Sequence, residues 1–152
     1  MYRRILVPLD GSDTARRGLH EALSLARRLD ASLVLLHVVE WYPMVAEMAT
    51  AGTWEHINAG LRQAGRDVLD RAHDQARELG VATEAHLVDA SAALVSDVIV
   101  AQAREHQCDL IVMGTHGRRG LNHALVGSDA EGVLRTSPVP VLMIRHPETA
   151  AG

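Results

Sequence analysis

The residue pattern predicts an α/β domain: a single, open, parallel five-stranded sheet with helices on both faces, Rossmann-like. Three observations carry this. Short, nearly continuous apolar runs alternate along the chain with stripes of apolar residues spaced three or four apart, the mark of strands followed by helices. The last run ends the pattern on a strand. Over 152 residues there is no linker, low-complexity segment or charge block, so the length fits one domain, taken as 1–147 with a tail at 148–152. Successive parallel strands imply right-handed crossovers.

Each element follows in order. "RRILVPLD" reads as a strand buried on both faces. Ser12 or Asp13 can cap the next helix, whose stripe is Ala15, Leu19, Ala22, Ala26 and Leu29. "SLVLLHVV" is the second buried strand. From Glu40 to about Trp54 no period is visible, and Pro43 and Gly52 interrupt the segment, so a long loop is expected. Its apolar residues Trp41, Tyr42, Met44, Met48 and Trp54 suit a lid, a partner surface or anchors on the core. A long helix then carries Ile57, Leu61, Ala64, Val68, Ala72 and Leu79, with Gly60 and Gly65 as weak points and Gly80 as its stop. "VATEAHLV" alternates, as a strand near an edge does. Leu94, Val95, Val98, Ile99 and Ala103 mark a third helix, and "CDLIVMG" the fourth strand. Ser128 to about Thr136 is a short helix, and "SPVPVLMIR" the fifth strand, with Pro138 and Pro140 at its start where a missing N–H is tolerated.

Composition narrows the chemistry. Hydrophobic residues make up 47% and charged residues 22%, with no Phe, so Leu, Val, Ile and Ala must form the core. The net charge of −4 gives no support to nucleic-acid binding. All basic residues are Arg, which excludes a Schiff-base lysine and a Walker lysine. Cys108 is the only cysteine, so a disulfide within the chain is impossible. No apolar run approaches a membrane span and no secretory pattern opens the chain, so a cytoplasmic protein is expected.

Glycine gathers in "GTHGRRGLNHALVGS", residues 114–128, directly after the fourth strand. Bare backbone allows close approach and positive φ, and a helix N-terminus adds positive potential, which together suit a phosphate group. Turn glycines and an S-x-x-E capping box at Ser128 and Glu131 would explain the same residues without a ligand. If the strand order is 3-2-1-4-5, "PLDGS" faces "MGTHG" across the switch point, where ligands of such sheets bind.

Gly114, Gly117, Gly127 and Ser128 match every defined position of G-x-x-G-x9-G-[ST], the nucleotide signature of ATP-binding universal stress proteins. "ILVPLDGSDTA", "LVLLHVV", "CDLIVMGTHGRRGL" and "SPVPVLMIR" also resemble that family, over essentially the whole chain. The resemblance implies the sheet order 3-2-1-4-5, a homodimer through the last strand (Val139–Arg145), and a regulatory role in stress response through ATP and a protein partner not identified by the sequence. Carried over by position, Asp10 lies near the nucleoside and Val38 contacts adenine through its backbone. Gly114, Gly117, Gly127 and Ser128 hold the phosphates. His116 and Arg118 neighbour the same loop, Ser12 lies on the rim, and Pro8 and Met113 flank the crevice.

Asp129 departs from the family, which usually has a small apolar residue there. At a helix N-terminus an Asp is stabilising by roughly 0.3–1 kcal/mol. Beside a triphosphate it would be repulsive, by about 4 kcal/mol at ~4 Å in a partly screened site. A Mg²⁺ between carboxylate and phosphate would reverse that sign. Gly132 also departs, since a long side chain is more usual, and the sequence offers no account of it.

Two other readings compete with the ATP-binding regulator. One is a dimeric interaction module of the same fold that binds no nucleotide. The other is a nucleotide hydrolase built on Ser12, Asp10 and His116, but no G-x-S-x-G elbow is present and any slow ATP hydrolysis is expected to be incidental, so the protein is not read as an enzyme. The nine histidines form neither H-x-x-x-H nor H-E-x-x-H, and no metal site from protein ligands alone is expected.

Overall fold

The computed structural model describes residues 1–116 and 126–146. Along the chain run β1 (Arg4–Pro8), α1 (Asp13–Leu29), β2 (Ser32–Val39), α2 (Pro43–Met48), α3 (Ala51–Glu78), β3 (Thr83–Asp89), α4 (Val95–Glu105), β4 (Leu110–Gly114), α5 (Ser128–Thr136) and β5 (Val141–Ile144). The strands pair in parallel in the order β3-β2-β1-β4-β5, so the alternating strand lies at an edge as its pattern predicts. The expected boundary between 147 and 148 lies outside the described residues.

Strand periodicity divides the core in two. Ile5, Val7, Leu33 and Leu35 point to one face, where α1 and α3 cover them with Leu19, Leu23, Leu69 and Ala72. Leu6, Val34, Leu36 and Ile111 point to the other, beneath Ile99 and Val100 of α4 and Val133 of α5. Side chains of this kind contribute roughly 1.5–3 kcal/mol each when fully buried, which explains how a core without Phe suffices.

Ser12 caps α1, its hydroxyl accepting a hydrogen bond from Ala15 N–H at 3.2 Å. Gly80 adopts φ +70° just beyond α3, as a helix stop does. The segment after β2 differs from the expected loop. Pro43 starts α2 at a position where its missing N–H costs nothing, and Thr50 caps α3 by accepting from Thr53 N–H. α3 therefore begins at Ala51, and Trp41 packs edge-on against Trp54 with ring centroids 4.9 Å apart. α2 is only six residues long and buries none of them, so Met44, Val45 and Met48 are too short a run to mark a helix by periodicity. Among the described residues, no helix is long and apolar enough to cross a membrane.

The structure explains Gly132. A Cβ there would lie 2.5 Å from Ser96 Oγ and 2.6 Å from Ser96 Cβ, because α5 crosses α4 at this point. In an isolated helix Gly→Ala is favourable by about 1 kcal/mol. Here Gly132→Ala is expected to destabilise by roughly 1–3 kcal/mol, the usual cost of overpacking. Removing the opposing side chain should reverse the sign, so Gly132→Ala in a Ser96→Gly background is expected to be less harmful than in the wild type. A double-mutant cycle by urea denaturation checks this.

Candidate functional site

The carboxyl ends of β1 and β4 diverge at the centre of the sheet, and the backbone beyond them is held by a set of local hydrogen bonds. Ser12 N–H donates to Asp10 Oδ1 at 2.9 Å, which closes the turn after β1. Thr14 Oγ1 donates to the His116 carbonyl, joining the start of α1 to the end of β4. Gly114 fits beneath Thr14, where a Cβ would come within 2.8 Å of Thr14 Cβ and Oγ1. Thr115 N–H donates to the Ile144 carbonyl at 2.9 Å, and Gly127 N–H donates to the Thr115 carbonyl at 2.7 Å. The chain thus returns to the end of β4 before entering α5.

These contacts frame a cavity of about 240 Å³. Leu36, Val38, Val95, Ile99 and Met113 form its apolar wall. Pro8, Asp10, Ser12, Gly114, His116, Gly127, Ser128 and Asp129 line the remainder. Of the residues singled out from sequence, Gly117 and Arg118 lie outside the described residues, and the others meet at this one crevice.

The capping box that offered a ligand-free account of Ser128 and Glu131 is not formed. Gly127 is the N-cap of α5 and offers no side chain, while Glu131 pairs with Arg135 at 2.6 Å. The first N–H groups of a helix have no intrahelical acceptors, and at α5 the N-cap residue, Gly127, gives no side-chain cap. α1, whose N-terminus adjoins the same crevice, is capped by Ser12. His116 Nδ1 lies 2.9 Å from Thr115 Oγ1, and its Nε2 is buried with no hydrogen-bond partner among the described residues. The crevice therefore offers donors at one end and an apolar slot at the other.

Asp10, Glu40 and Asp129 contribute three carboxylates to the described lining, which contains no arginine. Ser12 Oγ meets Ala15 N–H and Thr14 Oγ1, and among the described residues no hydrogen bond joins it to His116. The geometry thus lacks the contact a Ser/His nucleophile requires.

The sequence reading missed Glu40, Tyr42, Val95, Ile99 and Thr115 as lining residues. Tyr42 O–H donates to Glu40 Oε2 at 2.6 Å, so the short segment between β2 and α2 forms part of the rim. Val95 and Ile99 were visible only as a helical stripe, a pattern shared by core and pocket wall alike.

The chain matches the family model of the universal stress protein family over residues 1–145. A universal stress protein of Methanocaldococcus jannaschii is 34% identical over 148 residues, covering 97% of this chain and 85% of that one. The solved structure of a universal stress protein family member from Burkholderia pseudomallei is 38% identical, with a TM-score of 0.78 and coverage of 95% and 97%. A universal stress protein from Archaeoglobus fulgidus, solved in complex with dAMP, is 26% identical with a TM-score of 0.67, covering 95% of this chain and 98% of that one. Another, solved in complex with cAMP, is also 26% identical, with a TM-score of 0.66 and coverage of 95% and 97%. With its sheet order, its crevice and a family match that spans nearly its whole length, this chain belongs to the universal stress protein family.

Proposed function

We propose that the crevice binds ATP together with Mg²⁺, and that the protein is a cytoplasmic stress-response regulator rather than an enzyme. The observation that carries this reading is the N-terminus of α5, which opens on the crevice with no side-chain cap. Such an end favours phosphate oxygens. The apolar slot beside Val38 suits a base, and the dAMP and cAMP complexes of related proteins support an adenine nucleotide. Mg²⁺ is proposed as part of the ligand because it commonly bridges nucleotide phosphates and carboxylates, and Asp129 lines the crevice beside Ser128. Gly117 and Arg118, which match or adjoin the family's phosphate motif, complete the proposed set.

β5 is the outer strand beside β4, with Leu142 partly exposed, and it is the proposed surface for homodimerisation. Trp41 and Trp54, next to the Tyr42 rim, place a reporter at the crevice. Nucleotide is proposed to shift this segment and so alter recognition by a protein partner. Protease sensitivity around 41–54 that is identical with and without ATP would remove that part of the proposal.

The test is a calorimetric titration of nucleotide-free protein with ATP, with and without Mg²⁺, for wild type and Asp129→Val. Wild type is expected to bind ATP at least tenfold more tightly with Mg²⁺, and Asp129→Val to narrow that difference. Equal Mg²⁺ dependence in both proteins would separate Asp129 from the ion. Absence of ATP binding in both conditions would favour the dimeric interaction module, the reading to which the acidic lining also lends weight.

A further inference from the structure

We propose that Glu84, His86 and His106 form a second site, for a divalent transition-metal ion of the Zn²⁺ class, at the end of α4 remote from the nucleotide crevice. Glu84 and His86 lie two apart on β3 and so share a face, in register with Val34 and Leu36 of β2. His106 follows the last residue of α4 and brings its ring over His86, with centroids 4.0 Å apart and 28° between planes. One ligand atom from each of the three residues lies within 4.8 Å of the others. A tetrahedral Zn²⁺ with ligands at ~2.0–2.1 Å needs them about 3.3 Å apart. Rotation of the two rings out of their stack is the movement that closes the gap.

Glu84 gives Oε2 to Arg4, while its Oε1 faces His86 Nε2 at 3.9 Å, too far for a hydrogen bond. His86 Nε2 is buried and has no hydrogen-bond partner among the described residues. Gln102 donates from Nε2 to Glu105 Oε2 at 2.8 Å, which turns its amide oxygen to His106 Nε2 at 3.1 Å. His106 therefore carries its proton on Nε2 and keeps the Nδ1 lone pair. Arg4 and Gln102 thus stand as positioning residues behind the ligands, as outer partners do in metal sites. Cys108 is not part of the set: its thiol lies against the His106 carbonyl at 4.0 Å.

Val95 and Ile99, on the first turns of α4, line the crevice, whereas His106 follows its last turn. At 1.5 Å per residue the two ends of α4 are roughly 15 Å apart, and although His86 pairs with the crevice residue Leu36, none of the three proposed ligands lines the crevice, so metal binding is measured without nucleotide.

The experiment titrates untagged, chelator-stripped full-length protein with ZnCl₂ in competition with a chromophoric chelator. Wild type is expected to bind one equivalent per chain, and Glu84→Gln and His106→Gln each to weaken it tenfold or more. Gln102→Ala is expected to weaken it about tenfold through its hold on His106. His86→Phe keeps a ring against His106 and should abolish binding. Thermal melts of each apo variant establish folding, and the partly exposed Glu84 and His106 variants keep the test decisive if His86→Phe does not fold. Co²⁺ should give a visible spectrum in wild type that is lost in His106→Gln. No saturable Zn²⁺ binding by wild type, or binding unchanged in Glu84→Gln and His106→Gln, would overturn the proposal.

Discussion

Ser128→Glu is expected to weaken Mg²⁺–ATP binding at least about a hundredfold while leaving the melting temperature of the free protein unchanged or slightly higher. Ser128 is the first residue of α5, directly after its Gly127 N-cap. A carboxylate in that turn faces the positive end of the helix and stabilises it by roughly 0.3–1 kcal/mol. The same carboxylate would oppose phosphate oxygens at ~4 Å by about 4 kcal/mol, nearly a thousandfold in affinity before solvent and Mg²⁺ screen it. Calorimetry of ATP and of adenosine with both proteins checks this, since adenosine lacks the phosphates and should bind the two equally. Equal loss of both ligands would point to a distorted crevice. Unchanged ATP affinity would place the phosphates away from α5.

The second large effect concerns folding. Gly114→Ala is expected to destabilise the protein by roughly 1–3 kcal/mol even in the absence of nucleotide. The new methyl would stand 2.8 Å from Thr14 Cβ and 2.9 Å from the Thr14 carbonyl carbon. These atoms cannot swing aside as the tip of a long side chain can, so α1 itself must move. Thr14 also bonds the His116 carbonyl, and Ser12 and Asp10 precede it, so the crevice would be distorted with the helix. Urea denaturation of nucleotide-free wild type and variant measures the effect. Equal stability would show that the close approach to α1 is not what requires glycine here. The same reasoning explains why Ser128→Glu reports on phosphate binding more cleanly than a glycine variant does.

The sheet was legible because its information is local. β1, β2 and β4 lie inside continuous apolar runs, and β3, at the edge, is only partly covered, with Glu84, Ala85 and Asp89 exposed. The order of the strands was not legible from periodicity and came through family resemblance. α2 was hidden because six residues are too few to show a helical period, although Pro43 and Thr50 were local signs of two helix starts. Gly132 could not be explained because its reason, Ser96, lies on another helix. The S-x-x-E pattern misled because the chain places Gly127, not Ser128, at the cap. Glu84, His86 and His106 were visible individually, but only the packing of β3 beside α4 brings them together.

The strand order also has a consequence during synthesis. β1 is central and is made first, yet Ile5 pairs with Leu110 of β4, 105 positions later in the numbering. Ribosomes add about 5–20 residues per second, so β1 waits on the order of 5–20 s for this neighbour. During that interval β2 and β3 can join its other side, leaving one flank of a nascent half-sheet with unpaired backbone groups and the apolar side chains of Ile5, Leu6 and Val7 incompletely covered. The Arg3 and Arg4 N–H groups find their Asp109 acceptor at the same late moment. Newly made chains are therefore most vulnerable to self-association just before β4 emerges, and a holdase acting on this protein would have its main opportunity then.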